Sequence, residues 1–297
     1  MDQEIERHGR GAHPHVPAIV VADQAGSVAQ HKEHPMSAAE LTSRSLTLRT
    51  RSLAYLVAGS GPAVVIIHGV GGHKEDWQGV ALALAATHRV YAIDMLGFGA
   101  SSKTGADLSM PVQAAAILEL LDAEGIERAD VVGNSVGGWV AATFAATYPA
   151  RTGRLVLIDV AGFRAMFEGP PPVSFDPANP AEMQALIDIT INSAVARTPG
   201  LAEQAFAAYV ASGEKAISAT WGQSLFQSRR LEELLPQIQA ATLVLWGADD
   251  RLFPAALAGV FGAQIAGSRV ELIPGAGHFP QIDNPAATTA AIVAYLR

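Results

Sequence analysis

A chain of 297 residues, 49% hydrophobic and 16% charged, is long and apolar enough to bury a large core, which excludes disorder for its bulk. A formal charge of -8 without any dense Lys/Arg block argues against nucleic acid or an anionic membrane as partner, and no apolar run approaches the ~20 residues that span a bilayer. With no cysteine, there is no disulfide framework, thiolate metal site or cysteine nucleophile, and a small neutral or apolar molecule is the expected ligand.

The first segment, residues 1–40, carries His8, His13, His15, His31 and His34 among Gly, Pro and Ala. It reads as a flexible tail. These histidines lack the helical pairing and carboxylate neighbours of a metal site, so no metal is expected there. The N-terminus starts acidic and its apolar "VPAIVVA" comes late, unlike the basic-then-apolar order of a secretory signal, so the cytoplasm is the expected location. The stretch "SLTLRTRSLAYLVAG" alternates apolar and polar residues as a half-buried strand pair does.

From Pro62 onward come short continuous apolar runs, "AVVIIHG", "RVYAIDM", "ADVVGN", "RLVLIDV", "ATLVLWG" and "RVELIPG", interleaved with amphipathic stretches such as "VQAAAILELLDAEG". Runs of this kind suit strands buried on both faces, and their alternation with helices predicts a mostly parallel α/β sheet flanked by helices. His88 falls just before a strand and is expected at the surface. The rhythm breaks between Ala161 and Pro236, where a proline cluster leads into helical segments near 181–197, 200–212 and 214–229. This predicts a helical cap, residues 162–235, inserted into a core formed by 41–161 and 236–297.

"VVGNSVGGWV" sets Ser135 between Gly133 and Gly137 at the junction of an apparent strand and helix. A turn tight enough to lift one side chain clear of a sheet strains its central residue and leaves room only for small neighbours; that is the G-x-S-x-G elbow. A serine hydroxyl needs a base to take its proton, and the base needs a third group to orient it. Downstream, "LVLWGADDRLFP" offers Asp249 and Asp250 after a strand, and "ELIPGAGHFPQIDNP" offers His278 after the next. Serine, acid, histidine is the chain order expected on such a sheet. Asp159, ending "LVLID", is a weaker candidate for the acid.

These motifs, with "HGVGG" and "DMLGFGAS", resemble those of the α/β-hydrolase fold family over residues 45–297. The resemblance implies Ser135 as nucleophile, His278 as general base and acid, and Asp250, immediately before the arginine of its loop, as orienting carboxylate in place of Asp249. It also implies an oxyanion hole from the backbone N–H groups of Val70 and Val136, a structural His68, and a structural loop containing Asp94, Gly97, Gly99 and Ser101. The glycines of "HGVGG" do not extend to a dinucleotide turn, because Lys74 occupies the place of the third glycine. "HGVGGHKEDW" is similar to monoacylglycerol lipases and related esterases, with His73 and Trp77 as loop-packing residues.

The expected activity is therefore hydrolysis of a carboxylic ester through an acyl-enzyme, without metal or organic cofactor. Phe163, Phe167, Trp221 and Phe279 are the candidate substrate contacts, while most other apolar cap residues simply pack it onto the sheet. Alternatives are a carbon-carbon bond hydrolase of ring-fission diketones, from which Phe279 departs by standing where those relatives carry Trp, an acyltransferase or thioesterase, and a non-catalytic receptor-like protein.

Overall fold

The computed structural model describes residues 40–105 and 107–297. The expectations for a tail over residues 1–40, its five histidines included, fall on residues outside that description apart from Glu40. Among the described residues the chain forms an eight-stranded sheet: β1 Thr42–Thr47, β2 Ser52–Ala58, β3 Ala63–Ile67, β4 Arg89–Ile93, β5 Ala129–Asn134, β6 Thr152–Ile158, β7 Thr242–Gly247 and β8 Arg269–Ile273. The strand order is β1-β2-β4-β3-β5-β6-β7-β8. β1 and β2 pair antiparallel with each other and β2 antiparallel with β4, whereas β4, β3, β5, β6, β7 and β8 run parallel.

Alternate side chains on a strand point to opposite faces, and here both faces are dry. Val65 and Ile67 join a core with Ala114 and Ile117 of α2 (Met110–Ala123), Val140 and Phe144 of α3 (Val136–Thr147) and Phe261. Val64 and Ile66 join a second core with Val80 and Leu84 of α1 (Gln78–Leu84), and with Ile292 and Leu296 near the C-terminus. Every residue of β3 and β7 is buried, which explains runs without polar alternation. The edges differ. β8 is exposed along four of its five residues and β1 is largely exposed, because an edge strand has a neighbour on one side only. His88 is buried, not superficial: its Nε2 lies 3.1 Å from the Leu296 carbonyl, tying the β4 entrance to the last helix.

Between β6 and β7 there is no strand, only helical segments, chief among them α4 Pro180–Thr190, α5 Leu201–Ala211 and α6 Glu214–Gln227. Met183, Ile187, Ile191, Ala196 and Ala202 form a separate small core there, with Phe206 and Tyr209 packed on it. The expected helix over 181–197 is broken after Thr190. Its continuation is drawn into tertiary bonds: the Asn192 and Ser193 amides donate to the Asp283 carboxylate at 3.0 and 2.8 Å, which helical geometry forbids. No helix among the described residues is long and apolar enough to cross a membrane.

Candidate active site

Ser135 stands between β5 and α3 with φ 55° and ψ -121°, a backbone conformation that costs a non-glycine residue about 1–3 kcal/mol and persists only where its surroundings over-determine it. Those surroundings are visible. The Ser135 amide donates to the Ile158 carbonyl at 2.8 Å, and its own carbonyl accepts from Ala161 at 3.1 Å. A Cβ on Gly133 would overlap the Gly137 carbonyl, and one on Gly137 would overlap the carbonyls of Ile67 and His68. Glycine at these two positions lets the α3 N-terminus sit against the end of β3.

His278 reaches this serine from the loop after β8. Its Nε2 lies 2.9 Å from Ser135 Oγ and its Nδ1 donates to Asp250 Oδ2 at 2.9 Å. The carboxylate at Nδ1 fixes the tautomer: the proton sits on Nδ1, leaving Nε2 to accept from the hydroxyl. Asp250 Oδ1 accepts from the Leu252 and Phe253 amides at 2.8 and 2.9 Å, so the carboxylate cannot swing away. The His278 amide donates to the Thr190 carbonyl at 3.0 Å, and the Phe253 ring stands edge-on to the imidazole with centroids 4.9 Å apart. All three side chains are buried. Asp249, by contrast, is exposed; an open polar groove of about 570 Å³ is lined by Asp249 and Asp250 together with Asn192, Arg197, Arg251 and Gly275.

Val136 is the first residue of α3, so its N–H has no intrahelical acceptor and projects with the positive end of the helix beside Ser135. The loop carrying Val70 lies over the same serine: a Cβ on Gly69 would fall 2.9 Å from Ser135 Cβ. His68 holds that loop. The Met95 amide donates to its Nε2 at 3.0 Å, leaving Nδ1 to donate to the Gly69 carbonyl at 2.7 Å, and burial drives its pKa down to about 4. It is a neutral bracket. Lys74 is spent internally as well, on Asp94 Oδ2 at 2.7 Å and Glu75 at 2.8 Å.

The cap touches the site through several of the aromatic residues singled out from sequence. Phe163 packs edge-on against Phe253, centroids 5.1 Å apart, and Phe253 is the ring beside His278. Trp221 packs edge-on against Phe98 at 5.0 Å, and Phe98 against His68 at 5.4 Å. Phe279 lies 5.2 Å from the imidazole and joins the small core of the cap. Phe167 is placed elsewhere, between Trp139 and Phe226 with Arg230 over its face.

Two contacts carry no motif. Asn134, 0% exposed, donates from Nδ2 to the carbonyls of His278 at 3.1 Å and Ile158 at 3.3 Å. Glu214, the first residue of α6, meets His73 Nε2 at 3.0 Å and accepts from the Gly99 amide at 3.0 Å. Nothing in the sequence marks the second pair, because its partners lie 141 residues apart. Ligand-type atoms of Asp159, Asp250 and His278 lie within 4.8 Å of one another, but the His278 nitrogens are already committed to Asp250 and Ser135.

Comparison with known proteins places this architecture. A model described as the alpha/beta hydrolase family matches residues 64–292. An uncharacterised protein of Mycobacterium tuberculosis is 30% identical over 260 residues, covering 78% of this chain and 74% of its own. The 2-hydroxymuconate semialdehyde hydrolase of a Pseudomonas species is 32% identical over 255 residues, 80% of this chain and 87% of its own. Among solved structures, a membrane phospholipase A described as a bacterial virulence factor superposes with a TM-score of 0.75 at 29% identity, over 86% of each chain.

Proposed function

The chain belongs to the alpha/beta hydrolase family, and within it we propose a serine hydrolase that cleaves carboxylic esters, with Ser135 as nucleophile, His278 as base and acid, and Asp250 as orienting carboxylate. The observation that carries this reading is the continuous chain Ser135 Oγ, His278 Nε2, His278 Nδ1, Asp250 Oδ2, with both contacts at 2.9 Å. The hydroxyl proton passes to Nε2 as Oγ bonds to the ester carbonyl carbon. The carbonyl oxygen takes up the negative charge against the Val70 and Val136 N–H groups, in a site where water is excluded and such donors are worth most. Collapse expels the alcohol, which takes the Nε2 proton, and leaves an acyl-serine. Water then gives a proton to the same nitrogen, its oxygen bonds to the acyl carbon, and the serine is released with its proton restored.

An apolar acyl or aryl group suits the aromatic surroundings of His278 and His68, namely Phe253, Phe163, Phe98 and Trp221. Carbon-carbon hydrolysis of a ring-fission product is the second reading. It is favoured by the 32% identity to a protein named as a 2-hydroxymuconate semialdehyde hydrolase, and opposed by an aromatic wall better suited to an uncharged group.

The deciding experiment is kcat/KM for the purified protein on p-nitrophenyl esters of short and long acyl chains, on monoacylglycerols and on a ring-fission diketone, with fluorophosphonate labelling in parallel. Ester turnover that depends on chain length, together with labelling lost in Ser135→Ala, supports the ester reading. Turnover of the diketone alone replaces it with the second reading, and absence of labelling points to a binding protein on this fold.

A further inference from the structure

Asp159 directly follows β6 in a conformation that L side chains rarely adopt, with φ 43°, and its side chain is completely buried. Oδ1 accepts from the Gly247 amide at 2.8 Å. Oδ2 is enclosed and has no donor among the described residues. Its carboxyl neighbour is Asp250, whose two oxygens already receive three N–H bonds. The other ionisable groups facing the pair are His278, whose nitrogens are both engaged, and Asp283, an acceptor for the Gly277, Asn192 and Ser193 amides. No cation among these residues compensates a second buried negative charge.

Two carboxylates with oxygens within 4.8 Å of each other in a dry interior cannot both ionise. The proton belongs on the one with fewer donors, and an acidic hydrogen on Oδ2 is also what that oxygen needs in order to be bonded at all. We propose that Asp159 is a neutral carboxylic acid that donates a hydrogen bond from Oδ2 to the Asp250 carboxylate, making it a positioning residue for the acid arm of the triad. Burial, and after it the neighbouring Asp250 charge, hold the Asp159 carboxyl well above the usual carboxylate range. Its donated bond is a fourth one to Asp250. It spreads the charge of that carboxylate and sets how firmly the imidazole proton is held. The inference rests on Asp250 being the orienting acid.

Three forms of the full chain test it: wild type, Asp159→Asn and Asp159→Ala. Asparagine supplies the same acceptor for Gly247 and an N–H for Asp250, and it tolerates the left-handed backbone. Infrared difference spectra at neutral pH, wild type minus Asp159→Asn, are expected to show the C=O stretch of one protonated carboxylic acid. Ester kinetics are expected to give kcat/KM for Asp159→Asn within about threefold of wild type. For Asp159→Ala they are expected to give kcat lowered about 10–100-fold at unchanged KM, with the acidic limb of the kcat/KM profile moved up by about one pH unit. Absence of the carboxylic acid band overturns the proposal. So does an asparagine variant as impaired as the alanine one, or an alanine variant that loses thermal stability while its pH profile stays in place. Should Asp159→Ala fail to fold, the band and the asparagine kinetics still decide. The band requires no turnover, so it stands or falls apart from the ester reading, which Ser135→Ala tests separately.

Discussion

The side-chain amide of Asn134 donates to the backbone carbonyl of His278 across 144 residues of sequence, at 3.1 Å. The residue before Ser135 thus anchors the loop that carries His278, and the 2.9 Å contact between Ser135 and His278 is set from the backbone as well as from the side chains. Asn134→Ala leaves two buried carbonyls without this donor, a loss of about 1–3 kcal/mol. We expect a lower denaturant midpoint and a kcat reduced about tenfold with little change in KM, measurable by urea titration and initial rates on a p-nitrophenyl ester.

Removing the hydroxyl or the imidazole removes parts that act as a unit, so each single change is expected to cost nearly what both cost together. Ser135→Ala and His278→Ala should each lower kcat by about 10⁴–10⁶. Mass spectrometry after fluorophosphonate treatment should find the adduct on wild type and none on Ser135→Ala.

Gly137→Ala puts a methyl group on the carbonyls of Ile67 and His68, both backbone atoms of the central sheet and its exit loop, which have no route to yield. The expected cost is about 3 kcal/mol, at the upper end of overpacking effects, together with loss of activity as α3 is pushed off the β3 terminus. Gly79→Ala is the control, since nothing lies near the added methyl; its unfolding midpoint should stay close to wild type.

His73 and Glu214 join the loop carrying Val70 to the first residue of α6. Burial disfavours the imidazolium, but the Glu214 carboxylate outweighs it and raises the His73 pKa to about 9 from its ordinary 6.5. A folded pKa above the unfolded one adds stability that is fully present below pH ~6.5 and is lost as pH rises through about 9. The loss amounts to at most about 3 kcal/mol. Thermal midpoints from pH 6 to 10 should fall on the alkaline side in wild type and remain flatter in Glu214→Gln. A wild-type curve without that alkaline fall would dissolve the clasp.

Phe163 stands behind Phe253, and Phe253 against the imidazole, so Phe163→Ala opens space next to His278 without removing a hydrogen bond. We expect kcat/KM to rise for bulky aryl esters relative to short ones by about 3–10-fold, against a stability loss of about 3 kcal/mol. Phe167→Ala, whose ring lies between Trp139, Phe226 and Arg230, should leave the chain-length profile unaltered.

The sheet was readable because burial on both faces writes unbroken apolar runs into strands such as β3 and β7, and the elbow because two glycines at fixed distance from a serine answer a local steric demand. The end of α4 was not readable. Its residues favour continued helix, and the competing acceptor, Asp283, lies 91 residues away. Ser135 and His278 could be paired from sequence, with Asp249, Asp250 and Asp159 as the candidate acids, since each follows a strand and parallel strands deliver their C-terminal loops to one edge; the choice of Asp250 came from the family resemblance alone. Asn134, His73 and Glu214 had no such marker.

Local chemistry, then, was enough to tell where strands, helices and a strained serine turn occur, because those depend on residues within a few positions of one another. Which carboxylate meets the imidazole, which one keeps an oxygen without a donor, and which cap residue grips the Val70 loop depend on distances between groups 28, 88 and 141 residues apart along the chain. Hydrogen bonds of that kind leave no period or spacing behind them. They are chosen when the two faces of the sheet are covered and the interior dries, since only then does an unmatched polar atom become too costly to keep.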